Sequence, residues 1–362
     1  MKKVFIAATS QNDGKTTVSL GLIANFQQRF KKIGFIKPIG QRYLEEEGLK
    51  IDEDSVLIEE VCGIKAGLKD MSPIAVEKGF TERYINKPSR DSISNLINGA
   101  YKRISRGQDL VVIEGTGHAG VGSVFDHSNA TVARLLGSKV ILISSGGIGR
   151  PIDEIVLNKA LFDKEGVKLL GVIINKVLPD KFDKIDQLVR KGLEHKGINV
   201  LGVIPYTPTL SYPTIEQILE ETNFEILCGR DKLETYVSRV IIGAMRPPSA
   251  VKYIVDDSLL ITPGDSEDMI MAALECFRDD DPSRLRLAGI ILSGGMTPDK
   301  PIMDLLQRSG LSVLIAKTDT YTVASMVHDL TIKIRPQDSY KIKTVVKLIK
   351  DHVDLEKIVR GI

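Results

Sequence analysis

A phosphate-binding loop is the strongest chemical signal in the sequence. The apolar run Val4–Ala8 is followed by residues 9–17 (TSQNDGKTT) and then by a helical pattern. Gly14 permits a sharp turn whose amides face a ligand, and a helix N-terminus adds aligned N–H dipoles. Lys15 would reach the terminal phosphates of a nucleotide, and the Thr16 hydroxyl would take a place on Mg²⁺. The candidate nucleotide-binding residues of the loop are Asn12, Asp13, Gly14, Lys15, Thr16 and Thr17.

The loop departs from the usual G-x-x-x-x-G-K-[ST] pattern in one place, because Thr9 stands where the first glycine is expected. Asp13 is also an unusual neighbour for phosphates. The ordinary alternative is a Gly-Lys-Thr sequence that arose by chance in a strand-to-helix turn.

Two acidic positions offer the oxygen ligands that Mg²⁺ prefers. Glu114 follows the apolar run Leu110–Ile113, so it would lie at the carboxyl edge of a parallel sheet, facing the phosphate loop. The Asp52-Glu53-Asp54 segment offers a second acidic ligand. The alternatives are a solvated strand end at Glu114 and an exposed acidic turn at residues 52–54.

The elements that would position these residues alternate along the chain. Apolar, β-branched runs without polar alternation suit strands that are buried on both faces, and amphipathic stretches lie between them. This rhythm predicts a doubly wound, mostly parallel α/β domain. Its predicted strands are Val4–Ala8, Ile33–Ile36, Leu110–Ile113, Lys139–Ile143, Leu169–Ile174 and Val200–Ile204.

A second domain is predicted after a proline-rich boundary. Pro205–Pro213 contains three prolines in nine residues, which discourages a continuing helix or strand. The α/β rhythm then resumes, and a last helix is predicted near Ser339–Leu355. We therefore predict domains at residues 1–208 and 209–362.

Length and composition exclude several classes of protein. A chain of 362 residues suggests two domains, and 49 Lys plus Arg against 47 Asp plus Glu gives a net charge of +2. Such a balance carries no general affinity for nucleic acid. The 3 cysteines show no metal-ligand spacing, and no apolar stretch approaches the roughly 20 residues of a membrane span. We expect a soluble, cytoplasmic protein with neither a nucleic-acid partner nor a membrane partner.

With these residues in view, the first ~208 residues resemble the dethiobiotin synthetase branch of the P-loop proteins. They are more similar still to the dethiobiotin-synthetase-like N-terminal region of long phosphotransacetylases. Besides the phosphate loop, the segments that carry this resemblance are Gly34–Gln41, Val112–Gly115, Gly171–Lys176 and Leu201–Pro205.

The resemblance implies roles for particular residues. Lys37 would be a second catalytic cation beside Lys15, Asn175 would read the nucleotide base, and Pro205 would lie near that base. Asp54 and Glu114 would hold Mg²⁺ together with Thr16. The alternatives are a surface lysine at position 37 and a helix-cap or turn residue at position 175.

The last ~150 residues resemble the DRTGG domain, a small α/β module found in long phosphotransacetylases and, as a regulatory unit, elsewhere. The segments that carry this resemblance are Val240–Met245, Leu260–Asp265, Gly289–Gly295 and Thr318–Thr322. Together the two resemblances follow the order of the first two parts of a long phosphotransacetylase. The acetyl-transferring domain has no counterpart, so we expect no acetyltransferase activity from this chain by itself.

Three hypotheses follow for function. The first is a Mg-ATP-binding sensor or regulatory protein in acyl-phosphate metabolism, whose partners would be a small anionic metabolite, a transferase and a second copy of the chain. The second is an enzyme, an ATP-dependent ligase or synthetase that activates a small carboxylate or carbamate. The third is a scaffold without nucleotide function, which the intact Gly14-Lys15-Thr16 sequence disfavours.

Overall fold

The computed structural model describes residues 1–46, 48–276, 285–330 and 332–362. Its strands are β1 (Lys2–Ala8), β2 (Ile33–Ile36), β3 (Tyr43–Glu46), β4 (Leu49–Asp52), β5 (Leu110–Glu114), β6 (Lys139–Ser145), β7 (Leu169–Val177), β8 (Val200–Pro205), β9 (Glu225–Cys228), β10 (Arg239–Ile242), β11 (Ser258–Pro263), β12 (Leu287–Ser293) and β13 (Ser312–Ile315).

Helices separate most of these strands. They are α1 (Lys15–Phe26), α2 (Glu53–Cys62), α3 (Leu68–Met71), α4 (Phe80–Asn86), α5 (Arg90–Ser105), α6 (Asn129–Leu135), α7 (Arg150–Lys164), α8 (Phe182–Glu194), α9 (Ile215–Glu221), α10 (Pro247–Ala250), α11 (Glu267–Cys276), α12 (Lys300–Ser309), α13 (Thr320–His328), α14 (Ser339–His352) and α15 (Leu355–Gly361). Within the described ranges, no helix is long and apolar enough to cross a membrane.

The first of two compact units contains a six-stranded parallel sheet. Its strand order is β2-β5-β1-β6-β7-β8, so β1 lies in the middle with β5 and β6 as neighbours. The chain leaves β1 through α1 towards β2 on one side, and it later returns to β6 on the other side. Ligands of open α/β sheets bind at such a switch point, outside the carboxyl ends of the strands. The α/β fold class predicted from the sequence is confirmed.

The last two helices belong to the first unit, which comprises residues 1–207 and 334–362. A glycine in α1, Gly21, lets α14 approach closely: a Cβ placed there would lie 2.3 Å from Ile349 Cγ1. The Asn25 Nδ2 of α1 donates to Val346 O of α14 at 3.0 Å. The Lys2 ammonium donates to the carbonyl of Val359, in α15, at 2.8 Å.

The unit boundaries therefore differ from the predicted domains 1–208 and 209–362 in where residues 334–362 belong. The predicted helix near Ser339–Leu355 corresponds to α14, which ends at His352, and α15 was not predicted. Between them Val353 forms a β-bridge with Gly202 of β8. Apolar periodicity predicts that a helix buries one face, but it does not say which unit covers that face.

The second unit, residues 208–333, contains a smaller sheet of order β10-β11-β12-β13-β9. The first four strands run parallel, whereas β9 pairs with β13 in antiparallel orientation. Successive residues of β11 alternate between two apolar clusters: Leu260 lies in one, and Leu259 and Ile261 lie in the other. This alternation places a core on each face of the sheet.

A hairpin was not predicted in the first unit. Strands β3 and β4 pair antiparallel, with Tyr43 opposite Asp52. Their sequences, YLEE and LKID, are short and carry charges, so they lack the apolar pattern of a buried strand. The hairpin nevertheless matters for the site, because it delivers Asp52 and the start of α2.

Candidate functional site

The loop between β1 and α1 is held in shape by its own aspartate. The buried Asp13 carboxylate accepts hydrogen bonds from Thr9 Oγ1 at 2.9 Å and from the Ser10 backbone N–H at 2.7 Å. Burial raises the pKa of Asp13 above its ordinary value, although these two hydrogen bonds act in the opposite direction. The carboxylate thus bonds within the loop, which accounts for an acid in a phosphate-binding sequence.

Gly14 makes the turn into α1 in the left-handed region, with φ of 91°. A Cβ added there would meet Asn175 Nδ2 at 2.4 Å, so the position tolerates no side chain. The same Nδ2 donates to the Asp13 carbonyl at 2.8 Å, and Asn175 Oδ1 accepts from the Lys176 N–H at 2.9 Å. The end of β7 therefore supports the phosphate loop through a buried amide.

Two further residues complete the turn. Asn12 and Lys176 both adopt left-handed backbone conformations, with φ of 64° and 58°. The Lys176 ammonium donates to the Asn12 carbonyl at 2.7 Å. Pro205 pairs with Val177 at the neighbouring strand end, so it lies beside β7. Lys176 had no predicted role, since an exposed lysine carries no signal in the sequence.

The first turn of α1 faces the end of β5. Lys15 begins the helix, followed by Thr16 and Thr17. The Thr16 hydroxyl donates to Glu114 Oε1 at 3.1 Å. Burial lowers the pKa of Lys15, and the nearby Lys37 adds to this effect while the Glu114 carboxylate opposes it. The predicted neighbours Thr16 and Glu114 are thus brought together by two adjacent parallel strands, β1 and β5.

Lys37 is buried rather than on the surface. It follows β2, and its ammonium lies 2.9 Å from Asp52 Oδ1 and 3.8 Å from Glu114 Oε1, with a closer ion pair to Asp54. Burial alone would lower the pKa of Lys37, but the three carboxylates outweigh burial and raise it above the ordinary lysine value. Lys37 therefore carries its charge at any ordinary pH.

Two acids of the turn at residues 52–54, Asp52 and Asp54, are also buried. Asp52 caps α2, since its Oδ1 accepts from the Asp54 N–H at 3.0 Å. Asp54 lies in the first turn of that helix, where a negative charge is favoured by the helix dipole. The cap and the helix start together direct both carboxylates at Lys37.

Glu114 is the most deeply placed acid, with none of its surface exposed. Burial and the neighbouring Asp54 raise the pKa of Glu114, while Lys37 and Lys15 act to lower it. Its second oxygen, Oε2, is buried and has no hydrogen-bond partner among the described residues. An orphaned carboxylate oxygen of this kind is costly in a protein interior unless a ligand satisfies it.

The predicted metal ligands Thr16, Asp54 and Glu114 converge, but a lysine lies among them. Across the described part of the chain, no group of three or more His, Cys, Asp or Glu side chains is arranged as a metal site. The donor set is nevertheless of the hard oxygen type that suits Mg²⁺. The unpartnered Glu114 Oε2 is the atom that such an ion would satisfy.

One buried residue of the site was missed by sequence reasoning. Asn158, in α7, accepts from the Ala119 N–H at 2.7 Å and donates to the Thr9 carbonyl at 3.4 Å. It thus links the phosphate loop to the loop that follows β5. Its only signal in the sequence is an asparagine inside an amphipathic helix, which by itself favours a solvent-facing position.

Comparison with known families now bears on this geometry. A family model described as AAA domain (AAA_26) matches residues 2–214, which is more than half of the chain. The chain belongs to the AAA_26 family. A DRTGG domain model matches residues 217–330, so the AAA domain is joined to a DRTGG domain as the resemblance implied.

Relatives of this AAA_26 and DRTGG chain include phosphate acetyltransferases. That of Pseudomonas putida is 28% identical over 372 residues, covering 98% of this chain and 51% of the relative. That of Nitrosomonas europaea is 25% identical over 370 residues, covering 99% of this chain and 52% of the relative. The chain therefore spans about half the length of the curated relatives it matches.

Solved structures show weaker likeness. The MinC:MinD cell division protein complex of Aquifex aeolicus has a TM-score of 0.37 at 15% identity, covering 58% of this chain and 84% of that chain. The CBS and DRTGG domains of the regulatory region of Clostridium perfringens pyrophosphatase, complexed with diadenosine tetraphosphate, have a TM-score of 0.27 at 17% identity, covering 40% and 62%. Neither likeness bears on the chemistry of the site.

Proposed function

We propose that the AAA domain binds Mg·ATP and that the protein acts as a nucleotide-dependent sensor or regulator in acyl-phosphate metabolism. The observation that supports nucleotide binding lies at the switch point of the sheet. There the left-handed turn at Gly14 places Lys15 and Thr16 beside Glu114, whose carboxylate has one oxygen without a partner among the described residues. The DRTGG domain, in a chain that aligns with half of the phosphate acetyltransferases, supports the regulatory role.

Each residue has a defined part in this proposal. The amides of Asn12, Asp13 and Gly14 and the start of α1 would surround the phosphates, with Lys15 on the terminal ones. Thr16, Asp54 and Glu114 would hold Mg²⁺, which neutralises phosphate charge when bound. Asn175 and Pro205 would lie on the base side of the loop. A transferase and a second copy of the chain are the partners we expect.

Calorimetric titration with ATP and Mg²⁺ tests the nucleotide site. Lys15→Ala removes a charge-assisted contact worth roughly 1.5–3 kcal/mol, so we expect ATP affinity to fall about 10- to 100-fold. Lys31→Ala is the matched control, because it removes the same charge from an exposed position outside the loop. Equal affinity for ATP in the wild type and in Lys15→Ala would contradict the proposal.

An enzymatic function is the second candidate, and the position of Lys37 favours it. A buried ammonium beside Glu114 and close enough to Lys15 to affect its pKa is placed to stabilise charge on a transferring phosphate. The protein would then be an ATP-dependent ligase that activates a small carboxylate or carbamate. ATP turnover in a screen of carboxylate metabolites, lost in both Lys15→Ala and Lys37→Ala, would favour the enzyme; tight binding without turnover favours the sensor.

A further inference from the structure

Lys37 occupies the centre of the carboxylate cluster in which the metal ligands lie. Its ammonium contacts Asp54 and lies 2.9 Å from Asp52 Oδ1 and 3.8 Å from Glu114 Oε1. The side chain is 7% exposed, and the three acids are 1%, 5% and 0% exposed for Asp52, Asp54 and Glu114. Lys37 is thus a buried cation that pairs with three buried acids.

A divalent metal and this ammonium compete for the same oxygens. Mg²⁺ binds carboxylate oxygens at about 2.1 Å, so an ion on Asp54 and Glu114 would be in contact with the Lys37 ammonium. Two like charges repel strongly at such a separation when little water lies between them. On this geometry we expect metal entry to require a displacement of Lys37, and we expect that displacement to require another anion that receives its charge.

We propose that Lys37 keeps divalent metal out of the Asp52, Asp54 and Glu114 cluster in the nucleotide-free protein, so that the metal enters together with a triphosphate. The triphosphate supplies the anionic oxygens that accept the displaced ammonium. Glu114 Oε2, which is buried without a partner among the described residues, then gains the metal. The second half of this inference rests on the proposed nucleotide site, whereas the exclusion of metal does not.

Mn²⁺ titration without nucleotide, followed by electron paramagnetic resonance, tests the exclusion. Mn²⁺ prefers the same oxygen ligands as Mg²⁺. Lys37→Met removes the ammonium that pairs with the three carboxylates, and we expect its affinity for Mn²⁺ to exceed that of the wild type by at least about tenfold, since ligand charge sets affinity in oxygen sites. Lys37→Arg, which keeps the charge, is expected to bind Mn²⁺ as weakly as the wild type.

Two controls locate the effect. Lys159→Met removes a lysine that also pairs with an acid, Asp163 at 2.5 Å, but lies far along α7, and it is expected to leave Mn²⁺ affinity unchanged. Adding Glu114→Gln to Lys37→Met is expected to abolish the gained affinity. If circular dichroism shows that Lys37→Met is unfolded, Lys37→Gln takes its place.

Two outcomes would overturn the proposed exclusion of metal. A nucleotide-free wild type that binds Mn²⁺ as tightly as Lys37→Met, at a site lost in Glu114→Gln, would overturn the proposal. So would a folded Lys37→Met protein that binds Mn²⁺ no better than Lys159→Met. Because these titrations contain no ATP, they separate failure of this inference from failure of the proposed nucleotide site.

Discussion

The contact of Gly21 with Ile349 gives a direct test of where the C-terminal helices belong. Gly21 lies in α1, the helix whose first turn forms the phosphate site, and Ile349 lies buried in α14. A methyl group at Gly21 would lie 2.3 Å from Ile349 Cγ1 and 3.1 Å from Val345 Cγ1. The first distance forces the buried Ile349 side chain to shift, and the second requires Val345 to give way by a few tenths of an ångström.

The magnitudes follow from this geometry. Gly21→Ala gains about 1 kcal/mol of helix propensity but forces an overpacked contact that costs roughly 1–3 kcal/mol. Ile349→Ala opens a cavity and costs about 2–5 kcal/mol. In the double variant the new methyl occupies the space that Ile349 leaves. The gain in helix propensity is the same with Ile349 present and in the Ile349→Ala background, so it cancels from the cycle. The coupling energy therefore equals the energy of the relieved contact, roughly 1–3 kcal/mol.

Urea unfolding of the four proteins, followed by circular dichroism, measures the cycle. The two units are expected to give separate transitions, and the one that Ile349→Ala shifts is the transition to be used. Gly99→Ala in α5 is the matched control, because the nearest atom to its new methyl is Nη1 of the exposed Arg103, in ordinary contact at 3.4 Å. Its effect should add to that of Ile349→Ala. If Gly21→Ala and Ile349→Ala also add, within about 0.5 kcal/mol, the packing of α14 on α1 is refuted.

Three further predictions concern the rest of the chain. Asn175→Ala should weaken the binding of ATP and of inorganic tripolyphosphate alike, about tenfold by calorimetry, because the Asn175 amide holds the Asp13 carbonyl. A loss of affinity confined to ATP would instead assign Asn175 to recognition of the base. Residues 1–208 alone should unfold at lower urea than residues 1–207 joined to 334–362 by a short linker, and equal midpoints would contradict the unit boundaries. Asp319 caps α13, and its hydrogen bond from Thr322 holds the pKa of Asp319 below its ordinary 3.8. This stabilisation is complete above the unfolded-state pKa and is lost as pH falls through the lower folded value. Asp319→Asn should therefore lower the urea midpoint of the second unit at pH 7, and the difference from the wild type should shrink below about pH 4. A difference that stays constant with pH would show that the Asp319 charge is not the source of the stabilisation.

The parallel strands and the phosphate loop were predictable because their signals are local. A run such as Leu110–Ile113 is apolar throughout, which suits a strand buried on both faces, and the structure has β5 there. Gly14 before Lys15 identifies a turn by its backbone requirement alone. The meeting of Thr16 with Glu114 follows from strand order, since carboxyl ends of parallel strands share one edge.

The parts of the fold and the site that the sequence did not predict depend on contacts between distant parts of the chain. Lys37 and Asp54 are separated by a hairpin whose charged strands give no buried pattern, so their ion pair has no local signal. Asn175 shows a similar limit, because nothing in its sequence context reveals that both of its amide atoms bond within the loop region. The membership of residues 334–362 in the first unit likewise arises from packing on α1.

The buried charges also bear on the hypothesis of a scaffold without nucleotide function. Burying an ion pair contributes little net stability, and apolar residues of the same size often stabilise a fold as well or better. The cluster of Lys37 with Asp52, Asp54 and Glu114 also leaves one buried oxygen of Glu114 without a hydrogen-bond partner among the described residues. A fold gains nothing from that arrangement by itself. A divalent cation that enters with a nucleotide would satisfy this oxygen, which favours a nucleotide site over a scaffold.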